Sequence, residues 1–97
     1  MPDVTRISLP QKFSFDCHEW FKDEYSKAIV QSKRVELLCD KVQFLDSAAL
    51  GMIAKLKKEM KKHTNHDITV SNPSTYCDDL FTLANMYENY VVKSSKH

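Results

Sequence analysis

A short segment, Phe44-Leu45-Asp46-Ser47-Ala48-Ala49-Leu50-Gly51, carries the residue types best placed to do chemistry in this chain. An apolar stretch passes there into a helical pattern. Asp46 and Ser47 fall where the first backbone N–H groups of a helix are unpaired and the helix dipole is positive. Either residue could serve as an N-cap. The same physics favours a phosphoryl group, so Ser47 could also carry a phosphate with little local strain.

Other candidates are weaker. Cys17-His18 invites a thiolate reading, but adjacent residues in the first turn of a helix point apart, and core packing suits Cys17 better. His63 and His66 lie three residues apart in a polar turn with no further ligand nearby, which reads as solvated rather than as a zinc site. The run Lys55, Lys57, Lys58, Lys61, Lys62, interrupted by Glu59, reads as a solvated helix face. The apolar side of that helix must cover a sheet, so it is not expected to lie on a bilayer. Neither a Gly-x-Ser-x-Gly elbow nor a His-Glu-x-x-His pattern occurs. The residues support no enzyme and call for no cofactor and no metal.

Composition narrows the function classes further. The 97 residues fit one domain with one small core, the tail from Lys93 to His97 being polar. With 42% hydrophobic and 28% charged residues the chain is globular in type, and a formal charge of +1 lacks the basic bias of a general nucleic-acid binder. A single glycine, Gly51, cannot build a phosphate-binding loop of the P-loop or dinucleotide kind. Cys17, Cys39 and Cys77 are odd in number and far apart, so free thiols in a reducing cytoplasm are expected. No apolar run approaches the ~20 residues of a membrane span, so no membrane insertion is expected.

The elements that must position the junction follow from periodicity. Val4 to Leu9 alternates as a strand before Pro10, and Phe13 and Phe15 form a bent continuation. Asp16, with Glu19 three residues on, is expected to cap a helix from Cys17 to Val30 whose inner stripe is Phe21, Tyr25, Ala28 and Ile29. Val35 to Cys39 is a buried strand, and an apolar loop through Phe44-Leu45 leads to an amphipathic helix from Ser47 to His63. Ala49, Ile53, Leu56 and Met60 face its core side, whereas Ala48, Met52 and Lys55 are expected on the side beside Ser47, with Met52 open between an exposed contact and a residue folded back over the core edge. Ile68 to Val70 is a strand stopped by Asn72-Pro73. Ser74 or Thr75 caps a third helix with Tyr76, Leu80, Leu83, Ala84 and Tyr87 inward, and Tyr90 to Val92 forms an edge strand. Alternating strands and helices imply an α/β domain with a small mixed, largely parallel sheet and packed helices.

Around Asp46-Ser47 the chain resembles the STAS domain, and more closely a stand-alone anti-sigma factor antagonist. The family motif is Asp-Ser, Ser or Thr, Gly, an aliphatic residue and Gly after a short apolar stretch. Phe44-Leu45, Asp46, Ser47, Leu50 and Gly51 match it, and Phe15-Asp16 resembles the family's apolar-Asp step. Ala48 and Ala49 stand where the family has a hydroxyl residue and a glycine. The element order matches from about Ile7 to Val92, most of the chain.

The resemblance implies a binding module switched by phosphorylation. Ser47 would be the phosphoacceptor, Asp46 would support the acceptor site, and Ala48, Met52 and Lys55 would contribute to the partner surface. The implied partners are a Ser/Thr kinase or anti-sigma factor of the histidine-kinase-like ATPase fold, bound by the unphosphorylated form, and a PP2C-type phosphatase that resets it. Related small proteins are linked to transcription, biofilm and motility control. The rival expectations are a STAS subunit bracing the ATPase of an ABC lipid transporter, and a ligand-sensing STAS domain.

Overall fold

The computed structural model describes residues 4–32, 34–64 and 66–93. Its central sheet is made of β1 (Val4–Ser8), β3 (Arg34–Leu38), β5 (Ile68–Ser71) and β6 (Val91–Lys93), side by side in that order. Two short strands, β2 (Lys12–Phe13) and β4 (Phe44–Leu45), pair with each other. Phe44-Leu45 is therefore a strand rather than the expected loop. The sequence implies a largely parallel sheet, and every pairing among the described residues is parallel. The cause is the connectivity: each neighbouring pair in the four-stranded sheet is joined through helix, which returns the chain to the same end.

Strand alternation sends Ile7, Val35, Leu37, Ile68, Val70 and Val91 to one buried face. The opposite face carries Arg6, Glu36, Thr69 and Val92 in register across the sheet, exposed or half-exposed. On that face Arg6 Nε donates to Glu36 Oε1 at 2.7 Å.

Helices α1 (His18–Gln31) and α2 (Ser47–Lys61) cover the apolar face. From α1 come Phe21, Tyr25 and Ala28, with Ile29 at the margin. From α2 come Ala49, Ile53, Leu56 and Met60, as the heptad-like spacing requires. The start of α1 differs from expectation. Phe15–Cys17 forms a 3-10 turn closed by Cys17 N–H donating to Ser14 O, so Asp16 lies inside the turn. Cys17 takes the N-cap position without a side-chain bond, and no capping box forms.

The third helical region departs further. Helix α3 (Thr75–Leu83) ends at a turn where Asn85 adopts φ 57°, and α4 (Met86–Asn89) restarts in a new phase. A single stripe through Leu83, Ala84 and Tyr87 cannot survive that break. The buried residues are Cys77 and Phe81 of α3 and Met86 of α4, while Tyr76, Leu83 and Ala84 are exposed. Tyr90 ends α4, and the last strand begins at Val91 and includes Lys93, which the sequence reading assigned to the polar tail. The rest of that tail, residues 94–97, lies outside the described residues.

Strand β6 is fastened to α3 through Asp78. Its carboxylate oxygen Oδ1 accepts from Tyr87 Oη at 2.6 Å and pairs with Lys93 Nζ at 3.0 Å. The Tyr87 hydrogen bond, reinforced by Lys93, holds the Asp78 carboxyl below its usual range, and burial raises the Tyr87 phenol. A carboxylate with a lowered folded pKa stabilises the native state above the unfolded value near 3.8 and loses that contribution as pH falls through the lower folded value. Asp78→Asn should therefore cost about 1 kcal/mol at neutral pH. In urea unfolding at a series of pH values, the gap between variant and wild type should close only below about pH 4.

Candidate functional site

The junction of β4 and α2 stands at the carboxyl end of the parallel strands, and three pieces of chain build it. Leu9 N–H donates to Leu38 O at 3.0 Å, carrying the β1–β3 ladder onward, and Gln11 O accepts from Gln43 N–H and Phe44 N–H at 2.8 and 3.0 Å. These bonds bend the chain into the β2–β4 pair. Helix α3 holds the other side. Ser74, its N-cap, accepts from Cys77 N–H and donates to Val42 O, while its backbone N–H donates to Cys39 O at 3.0 Å. Tyr76 Oη accepts from Leu45 N–H at 3.2 Å and donates to Leu45 O at 3.4 Å. The helical stripe predicted Tyr76 as a core residue. Instead it clamps the strand before the site, a role that no local spacing signals.

Asp46 is the N-cap of α2. Oδ1 accepts from Ala49 N–H at 2.7 Å, and Oδ2 accepts from Phe15 N–H at 3.1 Å. One carboxylate thus caps the helix and ties it to the 3-10 turn that precedes α1. Ser47 occupies the first helical position and is exposed. Among the described residues its hydroxyl makes no hydrogen bond, so the cap is formed without it. The choice left open at the sequence level, cap or acceptor, therefore divides between two residues. Asp46 caps, and the Ser47 hydroxyl stands free beside the unpaired N–H groups of the first turn.

The residues expected to surround Ser47 are brought together in part. Ala48 is half-buried. Met52 is not outward-facing: it is half-buried and packs on the margin of the core. With Lys55 it lines a shallow cleft of about 190 Å³ between α1 and α2. Phe15, His18, Phe21, Lys22 and Tyr25 line its other side. The helical phasing was sound, but α1 leans against that side of α2, which only the fold reveals.

Sequence reasoning also missed two aromatic neighbours. Phe15 is 57% exposed, although its N–H is held by Asp46 and its ring stacks on His18 with centroids 4.4 Å apart. Phe44, 43% exposed, lies two residues before Asp46, with Lys12 Nζ 5.9 Å from its ring centroid. Period-two alternation signals Phe44, which points out where Leu45 turns in, but it would place Phe15 with buried Phe13. Phe15 is exposed because the strand ends at Phe13 and a 3-10 turn begins at Phe15.

His63 and His66 are exposed and half-exposed respectively, and no group of three or more potential metal ligands occurs among the described residues. Cys17 is half-buried against the core, and Cys39 and Cys77 are buried free thiols. No helix among the described residues is long and apolar enough to cross a membrane.

The chain is an α/β domain, parallel in every pairing among the described residues, with a polar helix start at the carboxyl edge of its sheet. The STAS domain family model matches residues 2–96, and the chain belongs to that family. A STAS-domain containing protein of Pseudomonas aeruginosa is 24% identical over 86 residues, spanning 89% of this chain and 84% of the relative. Among solved structures, a candidate anti-sigma factor antagonist of Thermotoga maritima superposes with a TM-score of 0.78 at 16% identity, covering 98% of this chain and 82% of that one. The anti-sigma factor antagonist SpoIIAA in its unphosphorylated form gives 0.72 at 16% identity, covering 100% of this chain and 84% of its own. The fold is thus that of the STAS domains, shared with anti-sigma factor antagonists.

The double role of Asp46 has a direct test. Asp46→Ala removes cap and cross-link together and should cost about 1–2 kcal/mol in urea unfolding. Asp46→Asn keeps one carbonyl oxygen for Ala49 N–H, so it should cost roughly half as much. Amide hydrogen exchange at Phe15 should accelerate in both variants, because with its carbonyl oxygen on Ala49 N–H the asparagine has only its amide nitrogen, a donor, facing Phe15 N–H.

Proposed function

We propose that this chain is a phosphorylation-switched protein-binding module of the anti-sigma factor antagonist type. Ser47 is the acceptor, and Asp46 shapes the acceptor site. The observation that supports this most is the division of labour at the start of α2: Asp46 supplies the cap, so an exposed serine hydroxyl remains with no structural duty in view. A Ser/Thr kinase or anti-sigma factor of the histidine-kinase-like ATPase fold binds the unmodified form, and a PP2C-type phosphatase restores it. The proposed output is control of transcription, biofilm formation or motility, in the cytoplasm where the kinase's ATP is found.

The chemistry of the switch follows from charge. Phosphorylation adds about −1.5 to −2 at the positive end of α2, taking the formal charge from +1 to about −1. The first-turn N–H groups accommodate that charge locally. The same charge faces the Asp46 carboxylate, whose other oxygen holds Phe15. Like-charge repulsion therefore bears on the bond that ties Asp46 to the Phe15 turn. The surface read by the partner comprises Ser47, Ala48, Met52 and Lys55, joined by the exposed rings of Phe15 and Phe44.

Incubation with ATP and a partner kinase, followed by mass spectrometry, should place the phosphate on Ser47 and leave Ser47→Ala unmodified. Phosphate on another residue that persists in Ser47→Ala would refute the assignment. Phosphorylated protein should keep its circular dichroism spectrum while losing affinity for the kinase.

Aromatic contacts are commonly the energetic centre of an interface. Phe15→Ala and Phe44→Ala should accordingly weaken kinase binding by roughly tenfold or more. Their stabilities should move by only about 0.5 kcal/mol, since both rings are largely exposed. Unchanged binding in both variants would move the partner surface away from these rings.

A further inference from the structure

Helix α2 has a second face, which shares Lys55 with the proposed switch surface and otherwise lies apart from it. Gly51, Ala54, Lys55, Lys58, Lys61 and Lys62 fall at helical spacings of 0, +3, +4, +7, +10 and +11, opposite the buried stripe. They line a trough of about 610 Å³ that is walled by Asn89 and Tyr90, where α4 meets β6. Lys57, also on its lining, is engaged with Asp67 at 3.1 Å, and Lys62 reaches Glu59 at 3.4 Å. Lys55, Lys58 and Lys61 form no ion pair among the described residues. The stripe is roughly 16 Å long, about three turns of helix.

Gly51 supplies an independent observation. A glycine inside a helix is less favourable than an alanine. A Cβ built at Gly51 meets nothing within 4 Å, and no positive φ is required there. Nothing in the described fold needs the missing side chain. With Ala54 one turn on, it leaves the α2 backbone bare at the mouth of a basic trough, where an incoming backbone can approach closely.

We infer that this trough docks an acidic helical segment of a protein partner, laid along α2 with its backbone over Gly51 and Ala54 and its carboxylates against Lys55, Lys58 and Lys61. Charge complementarity selects the sign of the occupant, and the bare backbone selects a closely packed peptide chain. The basic side chains are all lysines, which lack the planar fork that grips phosphate bidentately. Glu59 lies on the lining, and a chain of net charge +1 has little general attraction for polyanions. These features favour an acidic protein over nucleic acid. The inference stands apart from the phosphorylation switch, since no part of the trough includes Ser47.

The test titrates isotope-labelled protein with a synthetic helical peptide bearing glutamates at i, i+3 and i+7, followed by NMR. Amide shifts should concentrate at Gly51, Ala54, Lys58, Asn89 and Tyr90 and shrink with added salt. Gly51→Gln should weaken binding by roughly tenfold while raising the melting temperature, because a better helix former replaces glycine. Lys58→Glu with Lys61→Glu should abolish the response and transfer it to a peptide with lysines in place of the glutamates. Ser47→Ala should respond like wild type, which separates this test from that of the switch. Absent shifts, shifts centred elsewhere, or an equal response to a single-stranded oligonucleotide or to phosphatidylglycerol vesicles would overturn the inference.

Discussion

One carboxylate organises the polar end of this domain. Asp46 divides its two oxygens between Ala49 N–H in its own helix and Phe15 N–H in a turn thirty-one residues earlier. A hydrogen bond to a charged acceptor is stronger than one between neutral groups. Here two such bonds converge on one group. They set where α2 begins, where α1 begins, and how the two exposed phenylalanines flank the exposed serine. A serine at the cap could not have done this, because a single hydroxyl oxygen cannot span both donors. Because Asp46 provides the cap, the exposed Ser47 hydroxyl makes no capping bond among the described residues.

The rest of the fold serves that arrangement by fixing three loops at one edge of a parallel sheet. Helical crossovers return the chain to the same end each time, so the segments after β1, β3 and β5 meet at the carboxyl edge. The β2–β4 pair joins the first two, and Ser74 and Tyr76 join the third. Tyr76 Oη satisfies both backbone groups of Leu45, so the strand entering α2 is held by a side chain as well as by its partner strand. Behind the edge, Phe13, Phe21 and Tyr25 stack edge-on at 5.0 and 5.4 Å, giving the turn before α1 a rigid floor.

Charge is distributed with equal economy along α2. Its amino end offers unpaired N–H groups and a free hydroxyl, and its carboxyl half carries lysines that suit the negative end of the dipole. The two ends of one helix thus differ in chemistry, with Lys55 common to the α1–α2 cleft and the basic trough. Gly51 lies between them, on a surface that no other part of the described chain covers.

How much of this was legible in the sequence depends on the range of the interactions. Strands β1, β3 and β5, helix α2 with its buried Ala49, Ile53, Leu56 and Met60, and the special character of Asp46-Ser47 were all readable, because periodicity and capping are local properties of a few turns. The STAS motif lies within one such stretch. What escaped depends on residues distant in sequence. Asp16 looked like a cap because its neighbours fit, yet the turn around it is set by Ser14 O and by Asp46. The stripe of the third helix failed because Asn85 entered the left-handed region and reset the phase, a change of direction needed to bring Val91 beside Ile68. Met52 obeyed its helical angle, but α1 covers it. Tyr76, Phe15 and Phe44 acquired their roles only when segments about thirty residues apart met. Local spacing determined which backbone segments form and which face each buries. The tertiary structure decided which side chains meet at the carboxyl edge, because those contacts depend on how the crossovers close.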